Sequence, residues 1–266
     1  MENLLPGTPG SINRIRERFN KNYFEQEAWA QNQVICGLDE VGRGCLAGPV
    51  VTAAVILPPN KQPSRLLKDS KLMTPEEREK AVEWIDKNCW YSIGIVHHRI
   101  IDDRNVWHAT LIAMKKALVH LLATSPYTPS KIITDAMPLN LFDTAHKDIP
   151  VHYFPFGERR SSTIAAASIV AKVKRDEMMR RMDKIFPGYL LASHKGYSTP
   201  PHKRIIRESG QHLIIHRDSY LARLDALEQV IGQEEMALDD EQQSLFGQNE
   251  SHPIHADPSI RELAQE

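Results

Sequence analysis

The clearest alternation of apolar and polar positions lies in residues 34–57. An apolar run, 34–38, leads into two adjacent acids, Asp39 and Glu40, and a glycine-broken turn, Gly42-Arg43-Gly44, before a second, β-branched run at 50–57. Two such runs around a short Gly/Pro-containing segment predict strand, turn, strand. Adjacent strand side chains point to opposite faces, so Asp39 and Glu40 do not share one core. Upstream, Ile12, Ile15, Phe19 and Tyr23 fall near one face of a helix predicted over 12–31, with Ser11 as its cap. Downstream, Thr74 followed by Glu77 makes a capping box and predicts a helix over 75–87. Alternation over 90–97 predicts a third strand. Val106, Leu111, Met114, Leu118 and Leu121 predict a helix over 105–122. Residues 131–135 and 151–156 read as short buried strands. A long helix follows over 162–182, in which Ala165, Ala166, Ala167 and Ser168 read as close packing rather than chemistry. His194, Lys195, Gly196 and Tyr197 fall in a loop, and further helices are predicted near 202–208 and 217–231. This order of elements predicts an α/β mixed sheet with helices on its faces.

Composition narrows the picture. The chain has 266 residues, 41% of them hydrophobic, enough for one large domain with an appendage. Its segments divide as an N-terminal helical extension (1–31), a main domain (32–190), a small helical appendage (191–231) and an acidic, Gln-rich tail (232–266) whose composition predicts disorder. Cys36, Cys45 and Cys89 form no CxxC pair, which argues against a disulfide framework or a zinc site and for a reducing compartment. No apolar run approaches a membrane span, and the N-terminus lacks a signal-peptide core, so the expectation is a cytoplasmic protein without a membrane partner.

The net charge of −1 conceals an asymmetry. Residues 225–266 hold eleven acids and one base. Of the chain's 34 acids and 33 bases, 23 and 32 remain for residues 1–224, a net +9 against −10. A basic body with an acidic tail is the distribution expected of a nucleic-acid binder.

Acids close three predicted strands: Asp39 with Glu40, Asp135, and Glu158 just beyond the fifth. Four carboxylates at one sheet edge repel unless divalent cations neutralise them, and hard oxygen ligands suit Mg²⁺ or Mn²⁺. Two such ions serve in-line displacement at a phosphodiester. Gly42 and Gly44 let the backbone approach a ligand and expose N–H groups to an anion, with Arg43 between them as a fixed positive charge.

The segments GLDEVGRGCLAGPVVTAAVIL, DSKLM, NVWHATLIAM, ITDAMP, SSTIAAASIVAKVKRD and HKGYST, in this order, resemble bacterial ribonuclease HII over about residues 34–224. The resemblance implies a ribonuclease H-like fold, a mixed five-stranded sheet flanked by helices with a small C-terminal helical appendage. It also implies a metal-dependent endoribonuclease that acts on RNA–DNA hybrids and on single ribonucleotides in duplex DNA, leaving 5′-phosphate and 3′-hydroxyl ends. Asp39, Glu40, Asp135 and Glu158 are then the catalytic and metal-binding residues. Lys71 contacts a phosphate, and the Gly42-Arg43-Gly44 backbone with Tyr197 tests for the 2′-hydroxyl. Arg43 favours ribonuclease HII over ribonuclease HIII, which usually has a lysine there. One departure stands out: the family usually has aspartate where this chain has Glu158. Asp176 is the competing fourth acid, otherwise a salt-bridge partner on its helix. A nuclease acting on DNA junctions and a non-catalytic hybrid-binding protein are the alternative readings. In the tail, Gln242, Leu245 and Phe246 of QQSLF resemble the short motif that docks on a bacterial DNA sliding clamp.

Overall fold

Non-local pairing of short apolar strands sets the architecture. A computed structural model describes residues 9–59, 65–209, 213–223 and 226. The elements run β1 (Ile12–Arg14), α1 (Tyr23–Ala30), β2 (Ile35–Val41), β3 (Val50–Ile56), a 3₁₀ turn (Ser70–Leu72), α2 (Pro75–Asn88), β4 (Trp90–Val96), α3 (His98–Thr124), β5 (Lys131–Asp135), β6 (Val151–Phe154), α4 (Gly157–Arg160), α5 (Ser162–Ile185), α6 (Leu191–His194) and α7 (Pro200–Ser209). The chain divides into two compact units at Asp218. The first is described below. Of the helix predicted over 217–231, residues 217–223 and 226 are among the described residues; 218–223 and 226 are helical, and Arg217 precedes the helix.

The sheet order is β1-β6-β5-β2-β3-β4. β2, β3 and β4 form the expected antiparallel meander, while β5 and β6 run parallel to β2 and β5. The sheet therefore has six strands, not five. The extra strand is β1, and the helix predicted over 12–31 exists only as α1. Ile12, Asn13 and Arg14 instead pair in parallel with Val151, His152 and Tyr153. Phe19 and Phe24 then pack edge-on against one another, and Phe19 packs against Phe154. The apolar spacing that imitated a helical face serves an extended segment wrapped around an aromatic cluster. Tertiary pairing overrides the local pattern here.

Strand alternation sorts the core into two layers. Cys36, Leu38, Ala54, Ile56 and Ile132 pack with Met114, Leu118 and Leu121 of α3. Ala53 and Val55 face Ala165, Ala166, Ile169 and Val170 of α5. Burying each of the larger side chains contributes about 1.5–3 kcal/mol. Gly37 permits the closest approach: a Cβ there would lie 2.7 Å from the Ile164 nitrogen, so α5 begins directly against β2. The capping box of α2 is present as read, with the Glu77 N–H donating to Thr74 Oγ1 and the Thr74 N–H to Glu77 Oε2. α3 starts earlier than predicted, and its two halves meet at Asn105, whose φ of 63° breaks the helix. Asn105 Oδ1 accepts from the His108 N–H, so the residue caps the half that the periodicity had located. Among the described residues, no helix is long and apolar enough to cross a membrane.

Candidate active site

Register brings the acids together. Leu38 of β2 pairs with Thr134 of β5, so the next step sets Asp39 beside Asp135 at the C-terminal ends of adjacent parallel strands. Ligand crevices of α/β sheets form at such ends. Asp39 continues the face of Ile35 and Gly37 toward α5, while Glu40 continues the face of Cys36 and Leu38 toward α3. β6 stops at Phe154 rather than carrying an acid itself. Phe156 turns through the left-handed region (φ 59°), and Glu158 arrives in the first turn of α4. The Gly157 N–H donates to Asp135 Oδ1 at 3.0 Å, which ties that turn to the end of β5.

The electrostatics are those of uncompensated burial. Asp39 is only 6% exposed. Burial first, then the charges of Glu40 and Asp135, hold its carboxyl well above the usual range, against hydrogen bonds from Ser168 and the Glu40 N–H. Burial pushes Glu40 up to about 7, although Arg43 Nη1 lies 3.4 Å from its Oε1. Asp135 and Glu158 are raised for the same leading reason, and Asp135 adds to the effect on Glu158. Glu40 Oε2 and Glu158 Oε2 are buried without a hydrogen-bond partner. Each such oxygen costs at least about 1–3 kcal/mol. Among the described residues, no three His, Cys, Asp or Glu side chains are gathered closely enough to hold an ion as they stand. The unpartnered oxygens are the groups a hard divalent cation would satisfy. The donor set fits such a cation.

A second ring of residues surrounds the acids, and sequence reasoning missed part of it. Lys71 is exposed in the 3₁₀ turn, and its charge lowers the pKa values of Glu40, Asp135 and Glu158. Asp69 is buried, accepts from the Lys71 N–H at 3.0 Å, and stands 3.5 Å from Arg159. Its charge acts on Asp135 and Glu158, making it a fifth carboxylate near the cluster. Ser168, read as packing, hydrogen-bonds Asp39 and lies 2.9 Å from Ser70 Oγ. A serine following three alanines, on a helix against an acid-bearing strand, was the signal available. Asp176 pairs with Lys172 at 2.7 Å across one turn of α5, as expected of a salt-bridge partner.

The glycine loop is held from inside by two arginines. Arg217, fully buried, donates to the carbonyls of Gly42 (2.6 Å), Arg43 (2.8 Å) and Gly48 (3.1 and 2.9 Å). Arg175, also fully buried, donates to Pro49, Ala47 and Lys195 carbonyls at 3.0, 3.1 and 2.8 Å. Gly42 has φ 94°, and a Cβ there would lie 2.3 Å from Arg175 Nε. On the other side, a Cβ on Gly44 would meet nothing within 4 Å, so the loop is open there. Arg43 lies over the Trp107 ring at 5.8 Å.

Tyr197 stands against this loop through a bridge to Cys45, whose thiol its hydroxyl contacts. Lys172 and Arg175 lie over its ring at 5.5 and 5.6 Å. Burial is the main reason its hydroxyl is pushed up to about 12. Behind it, His202 joins the Tyr197 carbonyl at 2.9 Å and His216 at 3.1 Å, and stacks on His194. Gln242, Leu245 and Phe246 lie outside the described residues.

Comparison with known proteins identifies the family. The family model described as Ribonuclease HII matches residues 36–222. A ribonuclease HII of Thermus thermophilus is 38% identical over 188 residues, 70% of this chain and 86% of that protein. One from Koribacter versatilis is 45% identical over 206 residues, 77% of this chain and 76% of that one. Among solved structures, the ribonuclease HII of the Archaeoglobus fulgidus PCNA:RNase HII complex superposes with a TM-score of 0.57 at 25% identity, covering 70% of this chain and 94% of that chain. With the match running from β2 through α7 and including the acids and the glycine loop, the chain belongs to the ribonuclease HII family.

Proposed function

We propose that this protein is a metal-dependent endoribonuclease that hydrolyses the RNA strand of RNA–DNA hybrids and cuts 5′ of single ribonucleotides in duplex DNA. One observation carries the reading: four carboxylates from β2, β5 and α4 stand at one sheet end, two of them with buried oxygens that lack a donor. Asp39, Glu40, Asp135 and Glu158 would hold divalent cations, Mg²⁺ or Mn²⁺. When bound, such cations activate a water and stabilise the leaving 3′-oxygen, which gives 5′-phosphate and 3′-hydroxyl ends. Ser168 orients Asp39, and the Gly157 N–H orients Asp135. Lys71 attracts the phosphate. The open side of the Gly42-Arg43-Gly44 loop and the Tyr197 ring read the sugar, which is where RNA differs from DNA.

The test is cleavage of a duplex containing one ribonucleotide, compared in Mg²⁺ and Mn²⁺, with the ends mapped. Cutting confined to the ribonucleotide strand, 5′ of the ribose, is expected. Equal cutting of the all-DNA duplex, or none with either ion, overturns the reading. The QQSLF segment extends it to a DNA sliding clamp, with Leu245 and Phe246 entering an apolar pocket and Gln242 bonding at its rim. A peptide of residues 239–248 should bind the clamp and lose binding when Leu245 and Phe246 are both changed to alanine. No binding up to about a millimolar, a free energy of only about 4 kcal/mol, removes the clamp from the proposal.

A further inference from the structure

A cavity of about 310 Å³ opens beside the site, between the start of α2, the outer side of α5 and the α6 turn. Its charged lining is Arg78, Lys172, Arg180 and Lys195 against Glu79 and Asp176, an excess of two cations. Asp176 pairs with Lys172 at 2.7 Å, which leaves Arg78, Arg180 and Lys195 against Glu79. Arg78 is fixed by donating to the carbonyls of Ser70 (3.0 Å) and Met73 (2.6 Å), and Arg180 is exposed. Burial, with Arg180 and Lys172 adding to it and Asp176 opposing, holds Lys195 below its usual range.

The position matters as much as the charge. Lys172 reaches from this cavity over the Tyr197 ring. Arg78 holds Ser70, the neighbour of Lys71. The cavity therefore lies between two elements assigned above to the substrate. We propose that it seats a backbone phosphate of the bound duplex other than the one being cut, with Arg180 and Lys195 as its main donors. The inference rests on the proposed function and adds a second anchoring point to it. Such a contact fixes register along the duplex and carries no base specificity.

The test combines Arg180→Ala with a scan of a ribonucleotide-containing duplex in which single phosphates are replaced by neutral methylphosphonates. Affinities are read by fluorescence anisotropy in Ca²⁺. Arg180→Ala should weaken binding about 3- to 10-fold and lower the salt slope by about 1, as for one lost phosphate contact. Arg180→Lys should recover most of the loss. Lys115→Ala, the same charge change on the α3 side of the sheet, should leave the slope unaltered. At one or two adjacent positions the methylphosphonate and Arg180→Ala should fail to add, because both remove one contact. Full additivity at every position, or no loss on Arg180→Ala, overturns the seat. So does protection by inorganic phosphate alone that disappears in Arg180→Ala without any effect on duplex binding. Wild-type protein that does not cleave the duplex in Mg²⁺ or Mn²⁺ refutes the nuclease reading instead, so the two failures are distinguishable.

Discussion

At the carboxylate cluster, buried oxygens of Glu40 and Glu158 lack donors; a few residues away, two buried guanidiniums are surrounded by acceptors. Both regions place charge where water is scarce, and they treat it in opposite ways. Arg175 and Arg217 replace their hydration with loop carbonyls, so the Gly42–Gly48 backbone is fixed with its carbonyls inward. The carboxylates are raised by burial and leave two buried oxygens without donors, which a cation would satisfy. The difference separates two tasks: recognition needs a rigid surface, whereas metal binding needs unsatisfied ligands.

Four measurements break or sharpen this contrast. Asp39→Asn should lower cleavage by roughly 10²-fold or more, in line with losing a group that acts in the transition state, and leave hybrid binding largely intact. The same change should raise the melting temperature of metal-free protein, because it removes a buried repulsion. Activity above a few per cent of wild type would place the essential charge elsewhere. Arg217→Ala should act with the opposite sign on stability. Leaving the Gly42, Arg43 and Gly48 carbonyls without their donor costs roughly 3 kcal/mol. An unchanged urea midpoint would show that water replaces the guanidinium freely.

Glu40 of the cluster and the buried His202 behind Tyr197 should titrate in opposite directions. Glu40 is raised to about 7 in the native state, so the folded protein holds a proton that the unfolded chain releases. Its contribution therefore falls as pH rises from about 4.5 to 7, by roughly 3 kcal/mol for a shift of this size. His202 is lowered to about 4, mainly by burial. Its neutral form supports the native state above pH 6.5, and that support is lost as pH falls toward 4. Stability of wild type relative to Glu40→Gln, in EDTA across pH 4.5–8, isolates the first effect, and the same comparison with His202→Gln isolates the second. Parallel pH slopes for wild type and either variant would remove that group from the account. Saturating Mg²⁺ should reverse the Glu40 trend, because the cation favours ionised ligands. The smallest effect is expected of Tyr197→Phe, which keeps the ring and removes the hydroxyl beside Cys45. Single-ribonucleotide cleavage should fall several-fold more than cleavage of long hybrids, within about the 0.5–1.5 kcal/mol of one hydrogen bond. Equal losses on both substrates would point to general loosening of the loop.

Much of this arrangement is legible in the sequence because it is local. The β2–turn–β3 pattern, the capping box of α2 and the strands read over 90–97 and 131–135 depend on periodicity and near neighbours, and the structure has them there, the first of the two strands ending one residue earlier at Val96. The acids at 39, 40 and 135 follow from the same runs. β1 could not be read this way, since its strand character comes from pairing with residues about 140 positions away. Glu158 was located as an acid but not as the first turn of α4, because the left-handed Phe156 leaves no periodic trace. Ser168 looked like packing, and Asp69 had no reading of its own, until α5 met the 3₁₀ turn through the Ser70–Ser168 contact. Arg175 and Arg217 were invisible for the strongest physical reason: composition says that arginine seeks water. Only the folded chain supplies the loop carbonyls, from residues more than 120 positions distant, that make burial of a guanidinium favourable. Sequence by itself determined the chemistry available and the strands that carry it; tertiary structure decided which charges are satisfied and which are left for a ligand, because that depends on partners brought together by folding.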